Sequence, residues 1–591
     1  MSLDSARIPQ EIRQSWRGGD WAAFLFIFGI SALLIFAGLG KTGFWSPSEG
    51  LIIEIAREML ETRDFIQPRI NGNFWITKPP LAHWITAWCF SNFGFTELVA
   101  RTPFAIGALA TVVAVFLSGR VFFGRMAGLF AALILLTTPD FLWISRETRL
   151  DGPLTLFIVL TSCLFLLALE NPRRMILFAI LAGIFMGLGV LIKGPVAAIL
   201  PGLALIGATG LRGFRRRGGL KLVLISGFFC LIVAAPWFVV TALNAPAKNR
   251  EWFFWGQIQK WLTSEGGAKG WLVNLPAYVP YFLKGFFPWS LFVPFGLVMA
   301  FKGLKTAESR SVEKDALRML LYWFVIGLAL FSFSATKAGR YLLPFYPTAA
   351  MIIGYGFAKL SGSPDQAVPL RWLKMGAILL FAIAMTLVVF AVGFEVAPDK
   401  CSSWLHARFI DSDPVNGWAI LAVMFRDWWI YLAVFSTVFA AATIGALYFL
   451  RRRCARLAFS CLALSAILQV AFWCNFLAPK LDRHFSPKAF AERARDVCGS
   501  SGKLYWWGRS CRPLHFYLRR NFTVWKGAHG APANLDKAMA EGDWAVLFTD
   551  EGKALSPLDL APFDVRVKGA CQYGYLYLVA PGSKSASASR P

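Results

Sequence analysis

The chain reads as an all-α polytopic membrane protein with a small α/β domain near its C-terminus. Three observations predict this. Hydrophobic residues make up 57% of the 591 residues and the mean hydropathy is +0.54, a composition of membrane proteins and not of soluble domains. Apolar runs recur along the first 477 residues, each near the ~17–25 residues that a bilayer requires. The net charge of +26 sits mostly in short loops between these runs. That distribution follows the positive-inside rule and argues against nucleic acid as a partner.

Taken in order, residues 1–20 are charged and read as a cytoplasmic N-terminus. The first run, 21–40, has no cleavage site after it and reads as a retained anchor. A long polar stretch, 41–101, follows. Within it Ser46-Pro47-Ser48-Glu49 starts a helix: proline suits the first helical position, and Ser46 with Glu49 predicts a capping box. Ile52, Ile55, Ala56, Met59 and Leu60 recur at helical spacing away from Glu54, Arg57, Glu58 and Glu61. The pattern predicts an amphipathic helix lying on the membrane surface. Residues 81–93 are apolar but too short to span, so they read as interfacial or re-entrant, with His83 beside Trp84 at the interface.

Twelve further runs lie near 102–118, 124–139, 154–169, 175–192, 196–211, 220–241, 287–301, 317–334, 341–358, 373–395, 429–450 and 457–477, which gives about thirteen transmembrane helices. Basic clusters at Arg120 and Arg125, Arg173 and Arg174, Arg212–Lys221, Lys302–Arg318 and Arg451–Arg456 fall on one side if spans alternate. That side reads as cytoplasmic. Loops 41–101, 242–286 and 396–428 and everything after 477 then lie on the other. Residues 478–581 read as an extracytoplasmic α/β domain, with a helix over Pro487–Val497 and strands over Lys503–Trp507, Trp544–Thr549 and Tyr573–Val579. Residues 582–591 read as a disordered tail. Cys401, Cys498, Cys511 and Cys571 share the outer side, where three pairings are open and Cys498–Cys511 is one candidate bridge.

The informative residues break the positive-inside pattern. Arg69, Lys78, Arg146, Arg149, Lys193, Lys337 and Arg340 all lie on the outer side, together with Asp151 and Tyr341. A cation at the mouth of a span is costly and marks a functional hypothesis. Several converging on one face suggest a phosphate or pyrophosphate site. The plainer reading is snorkelling toward anionic headgroups.

The same segments resemble the C-type glycosyltransferases, above all the aminoarabinose transferases of lipid A and the bacterial protein O-mannosyltransferase-like enzymes. Ser46–Glu49, Glu54–Met59, Pro68–Gly72 and Lys78–Trp84 match the family's first outer loop. Arg146–Phe157, Leu191–Pro195, Gly285–Ser290 and Thr336–Pro347 match later motifs in order, so the likeness covers roughly residues 20–360. Two positions depart: Ser48 stands where the family carries its first acid, and Thr77 stands where it carries a glutamate. The resemblance implies a C-type fold over 21–360, with additional transmembrane helices over 361–477.

It also implies a glycosyltransferase of the bacterial inner membrane that uses a polyprenyl-phosphate-sugar donor. The acceptor would be a lipid or glycolipid of lipid A type, modified on the periplasmic side. Alternatives are transfer to protein, an inactive relative, or a transporter of lipid-linked sugars. Arg69, Lys78, Lys193, Lys337, Arg340 and Tyr341 are the expected donor-phosphate ligands. Glu49 and Asp151 are the expected catalytic carboxylates, each with a plainer role as a helix cap. No cofactor is indicated, and a divalent metal stays open with its ligands unassigned.

Overall fold

The structure is a computed structural model. It describes residues 16–246 except 76, then 275–306, 311–334, 337–362, 367–396 and 418–499, and most of the strands and helices of 502–581. Helices α1 (Gly18–Phe36), α4 (Glu97–Phe123), α7 (Asp151–Glu170), α8 (Met175–Lys193), α9 (Val196–Arg216) and α10 (Gly219–Asn244) form the first half of the bundle. Between them lie α2 (Pro47–Thr62), α3 (Leu81–Phe93), α5 (Arg125–Leu136) and α6 (Pro139–Ser145). The second half holds α11 (Tyr278–Gly285), α12 (Val293–Thr306), α13 (Val312–Leu321), α14 (Gly327–Ser332) and α15 (Tyr346–Gly362), then α16 (Ala367–Val396), α17 (Trp418–Arg451) and α18 (Ala455–Phe472).

All thirteen apolar runs are helical, but they are not thirteen equivalent spans. Among the described residues nine helices are long and apolar enough to cross a membrane, or eleven if each of two bent pairs is one span. The bends have a sequence cause. Thr138 before Pro139 is held extended, and α5 and α6 diverge by 70°. Around Pro288 the turn between α11 and Trp289–Thr306 is 108°. The remaining two runs give shorter helices, Val196–Gly210 and the 17-residue α15.

Helix ends sort onto two faces as alternation predicts. On the basic face Asp20 pairs with Arg120, joining the start of α1 to the end of α4. There Arg217 also bridges Glu170 and Asp315, drawing together the ends of α7, α9 and α13. On the opposite face sit α2, α3 and the C-terminal domain. That domain holds α19 (Ala478–Phe485), α20 (Lys488–Cys498), α21 (Arg512–Leu518) and strands β3 (Leu504–Gly508), β4 (Thr523–Val524), β5 (Trp544–Asp550), β6 (Phe563–Cys571) and β7 (Gly574–Pro581). The sheet order is β4-β3-β5-β7-β6; β3 runs parallel to β4 and β5, and β7 antiparallel to β5 and β6. Strand β6 and helix α21 escaped the sequence reading. The residues 582–591 lie outside those described.

Four expectations are corrected. Helix α2 does not lie on a membrane surface. Ile52 packs into the bundle core while Ile53 and Ala56 pack with Phe490, Trp506, Leu514 and Phe516 of the C-terminal domain, so both faces are covered. Its polar face is spent internally: Arg57 pairs with Glu54 and Glu61, and Glu58 accepts the Asn71 and Gly72 N–H groups. The capping box is not made either, because Ser46 accepts from the Ser48 N–H at 3.1 Å and Glu49 turns elsewhere. Finally, Cys498 is a free buried thiol, so the Cys498–Cys511 bridge is not formed. His83 likewise points inward, 3% exposed, with Nδ1 3.4 Å from the Ile52 carbonyl oxygen.

The turn after α2 shows why the domain docks where it does. Strands β1 (Arg69–Ile70) and β2 (Asn73–Phe74) pair across Asn71-Gly72, both at positive φ, as a two-residue hairpin requires. Asn71 then projects its amide onto the Phe522 backbone, accepting its N–H at 2.6 Å and donating to its carbonyl. Gly50 permits the other contact: a Cβ there would lie 2.5 Å from the Pro513 nitrogen, so α2 and α21 touch backbone to side of helix.

Candidate active site

Two carboxylate–cation clusters stand on the face opposite the basic loops. The first is at the N-terminus of α2. Glu49 is fully buried and is gripped by Arg101 of α4, Nε to Oε1 at 3.0 Å and Nη2 to Oε2 at 3.1 Å. The Thr148 N–H adds a third bond to Oε1 at 3.0 Å. Arg101 in turn donates to the carbonyls of Leu39, Thr42 and Gly43. Every donor and acceptor of the pair is thereby used within the protein, the condition under which a buried ion pair is tolerated. The same loop is held from the C-terminal domain, where Tyr517 accepts the Phe44 N–H at 2.8 Å and donates to Glu97 at 3.1 Å.

Beside this pair the loop 146–150 carries three further charges inward. Arg146 donates to the Leu34 and Ile35 carbonyls at 2.9 and 2.8 Å, capping the C-terminus of α1. Arg149 reaches Ser46 Oγ at 3.0 Å and pairs with Glu147. Burial pushes the Glu147 carboxyl up to about 7, and the nearby Glu49 charge adds to the rise against the opposing pull of Arg149. Glu49, Arg101, Arg146 and Glu147 line a cavity of about 30 Å³ with Trp45, Trp143 and Cys474, room for about one water. Ser48 is half-buried at the edge of this group.

The second cluster joins four of the sequence-selected residues. Asp151 in the first turn of α7 pairs with Lys193 in the last turn of α8. The Lys193 ammonium sits 4.4 Å from the centre of the Tyr341 ring, and Arg340 approaches that ring at 5.2 Å. Lys193 remains 13% exposed and Asp151 5%. Each charge suits its helix end. What the dipoles do not account for is the gathering of two cations on one tyrosine.

The other expected ligands are engaged differently. Lys337 donates to the Ser332 carbonyl at 2.6 Å and to that of Ser334, closing the end of α14, and burial lowers its pKa. Arg69 pairs with Asp64 at 3.3 Å and covers the Phe74 ring within its hairpin. Lys78 is half-buried in the turn before α3. Among the described residues no group of three His, Cys, Asp or Glu is placed to hold a metal ion. Sequence reasoning missed Arg101, although it stands at a span mouth on the face opposite the basic loops and meets the criterion that selected the others. It also missed Glu147, which carries no signal beyond its charged neighbours.

The resemblance read from the sequence holds in comparison with known proteins. The family model described as "Dolichyl-phosphate-mannose-protein mannosyltransferase" matches residues 77–240. The undecaprenyl phosphate-α-4-amino-4-deoxy-L-arabinose arabinosyl transferase 1 of Proteus mirabilis is 30% identical over 355 residues, 58% of this chain and 60% of that protein. The corresponding transferase of Erwinia tasmaniensis is 26% identical over 66% of this chain and 70% of its own length. The matched part of the chain thus spans three-fifths of the length of the Proteus relative. In three dimensions the ArnT of Cupriavidus metallidurans bound to undecaprenyl phosphate superposes with a TM-score of 0.73 at 20% identity, over 96% of this chain and 99% of that one. Its apo structure gives 0.71 at 22% identity, with 97% and 99% covered. The chain has the C-type glycosyltransferase fold, bundle and C-terminal domain together.

Proposed function

We propose that this relative of the aminoarabinose transferases is a polyprenyl-phosphate-sugar-dependent glycosyltransferase of a bacterial inner membrane. It moves a sugar onto an envelope glycolipid of lipid A type on the periplasmic side, the basic face being cytoplasmic. The observation that carries the reading is the gathering of Lys193 and Arg340 on Tyr341 opposite the basic loops. In the reaction the bond between the sugar's anomeric carbon and the donor phosphate oxygen breaks as an acceptor oxygen bonds to that carbon. The electron pair goes to the phosphate. Two fixed cations stabilise that developing charge where water is scarce. Asp151 holds Lys193 in place until the phosphate shares it. Lys78 is a further ligand for the donor phosphate, and the Glu49–Arg101 pair contributes by holding the loop at Leu39, Thr42 and Gly43.

Ser48 bears on the acceptor. An unassisted serine hydroxyl cannot serve as a base at neutral pH. A phosphate acceptor is already an anion near pH 7, with a second pKa of about 6, and calls for no base. The departure at Ser48 therefore favours a phosphate-bearing lipid over a hydroxyl of protein. Mass spectrometry of envelope lipids and glycoproteins, with and without the gene, tests this. The expected result is one sugar lost from a glycolipid. A sugar lost from glycoproteins alone would replace the lipid reading with protein O-glycosylation, and unchanged glycans with altered lipid export would replace it with transport. Reporter fusions after residue 477 and in the loop at 170–174 test the orientation separately.

A further inference from the structure

On the basic face, α12 and α15 part at their ends to leave a cavity of about 350 Å³ lined by Lys302, Lys305, Thr306, Tyr355 and Lys359. It is remote from both carboxylate clusters, and the proposed transfer has no use for it. Gly303 sets its floor: a Cβ there would lie 2.2 Å from the Tyr355 hydroxyl, so the two helices meet closely at this point and diverge beyond it. Of the three ammonium groups, Lys359 pairs with Glu313 at 2.9 Å, and Glu313 also accepts the Tyr355 hydroxyl at 2.8 Å. Lys302 and Lys305 have no ion-pair partner among the described residues. Among the described residues one carboxylate therefore stands against three cations around a concave site.

The macrodipole favours lysine in the last turn of α12. It favours Lys359 equally, in the last turn of α15, and what it leaves unexplained is that both helix ends present these lysines to one cavity. The level of the site names the ligand. It lies where a membrane-crossing unit ends, and Phe301, one residue before Lys302, is 54% exposed along the bundle surface. Basic pockets between transmembrane helices at this level take anionic lipid headgroups, and the volume lies in the range of small-ligand sites.

We propose that this cavity binds the phosphate headgroup of an anionic phospholipid from the leaflet on the basic face. Its phosphate lies among Lys302, Lys305 and Lys359, its headgroup hydroxyls reach Thr306, and its acyl chains run along the bundle beside Phe301.

The test uses the full chain purified in detergent. Retained lipid is counted by native mass spectrometry, and melting temperature is followed on adding phosphatidylglycerol, phosphatidylcholine or inorganic phosphate. Phosphatidylglycerol is expected to be retained and to raise the melting temperature, and phosphatidylcholine to do neither. Each of Lys302→Ala, Lys305→Ala and Lys359→Ala should weaken phosphatidylglycerol binding roughly fivefold, as for one basic residue at an anionic surface. Arg173→Ala with Arg174→Ala, on the same face, should leave it intact. So should Lys193→Ala, which separates this site from the donor site. Equal phosphatidylglycerol retention by wild type and the triple lysine variant would overturn the proposal. So would an equal thermal shift with inorganic phosphate, which would make the cavity a site for free anions.

Discussion

The N-terminus of α2 and the mouth of α7 and α8 each hold a carboxylate expected from the sequence to be catalytic, paired with a cation, and the two are built in opposite ways. Around Glu49 both carboxylate oxygens are taken by nitrogen donors and the Arg101 guanidinium is shared with three carbonyls. Around Asp151 there is one ammonium, and that ammonium leans on an aromatic ring that a second cation also approaches. The first pair has nothing left to offer a substrate. The second has an incoming anion's worth of positive charge in excess. A charged residue on this face can thus be saturated by internal bonds or left with charge to spare, and the number of those bonds tells which.

The largest effect is expected at the saturated pair. Arg101→Ala leaves Glu49 buried without its counterion, a loss on the order of 3–5 kcal/mol. It should appear as poor recovery of folded protein and a lowered melting temperature. Glu49→Gln should also lose stability, while Asp151→Asn should keep the fold and lose turnover. A stable Glu49→Gln protein with no transfer activity would break the comparison and return Glu49 to the chemistry.

A smaller effect is expected at the cluster with charge to spare. Lys193→Ala or Arg340→Ala should cost about 1.5–3 kcal/mol of transition-state stabilisation if each makes a charge-assisted bond to phosphate. That is roughly 10–200-fold in kcat/KM with synthetic donor, at nearly unchanged melting temperature for Arg340→Ala, whereas Lys193→Ala also strips the buried Asp151 of its ammonium and should lower it. Full activity in both variants would leave snorkelling as their role.

A third effect, confined to a pH window, sharpens the boundary between the two regions. Glu147 is protonated more readily in the folded chain, at about 7, than in the unfolded one, where an ordinary glutamate titrates near 4.5. Between those values the folded state binds more protons, so this group makes stability fall as pH rises from about 4.5 to about 7. Outside that window its contribution is constant. Glu147→Gln should flatten the decline in melting temperature between pH 5 and 7.5. An unchanged slope would mean that Arg149 keeps Glu147 ionised throughout.

Much of this was legible in the chain. Apolar runs gave the bundle because bilayer length is a hard constraint, and cations on the outer side led to Lys193, Arg340 and Tyr341 because desolvated charge has few excuses. What could not be read is pairing at a distance. Nothing in the order of residues says that Glu49 meets an arginine 52 positions later, or that Arg146 and Lys337 close helix ends. Helix α2 misled for a related reason. Its acids and Arg57 neutralise one another and bind a neighbouring hairpin, so a face that looks solvated is covered by a domain encoded some 450 residues downstream.

That distance in sequence is also a distance in time. Asn71 waits for Phe522, 451 residues further along. At ~5–20 residues per second the ribosome needs roughly 20–90 s to supply it. For that interval Ile53, Ala56 and Phe90, which end in the shared core, have no cover from the C-terminal domain. The loop between α1 and α4 is therefore finished last, by an element that arrives only after the bundle is made. A nascent chain halted before α20 would present an unassembled loop, which a protease or chaperone of that compartment could tell from the mature protein.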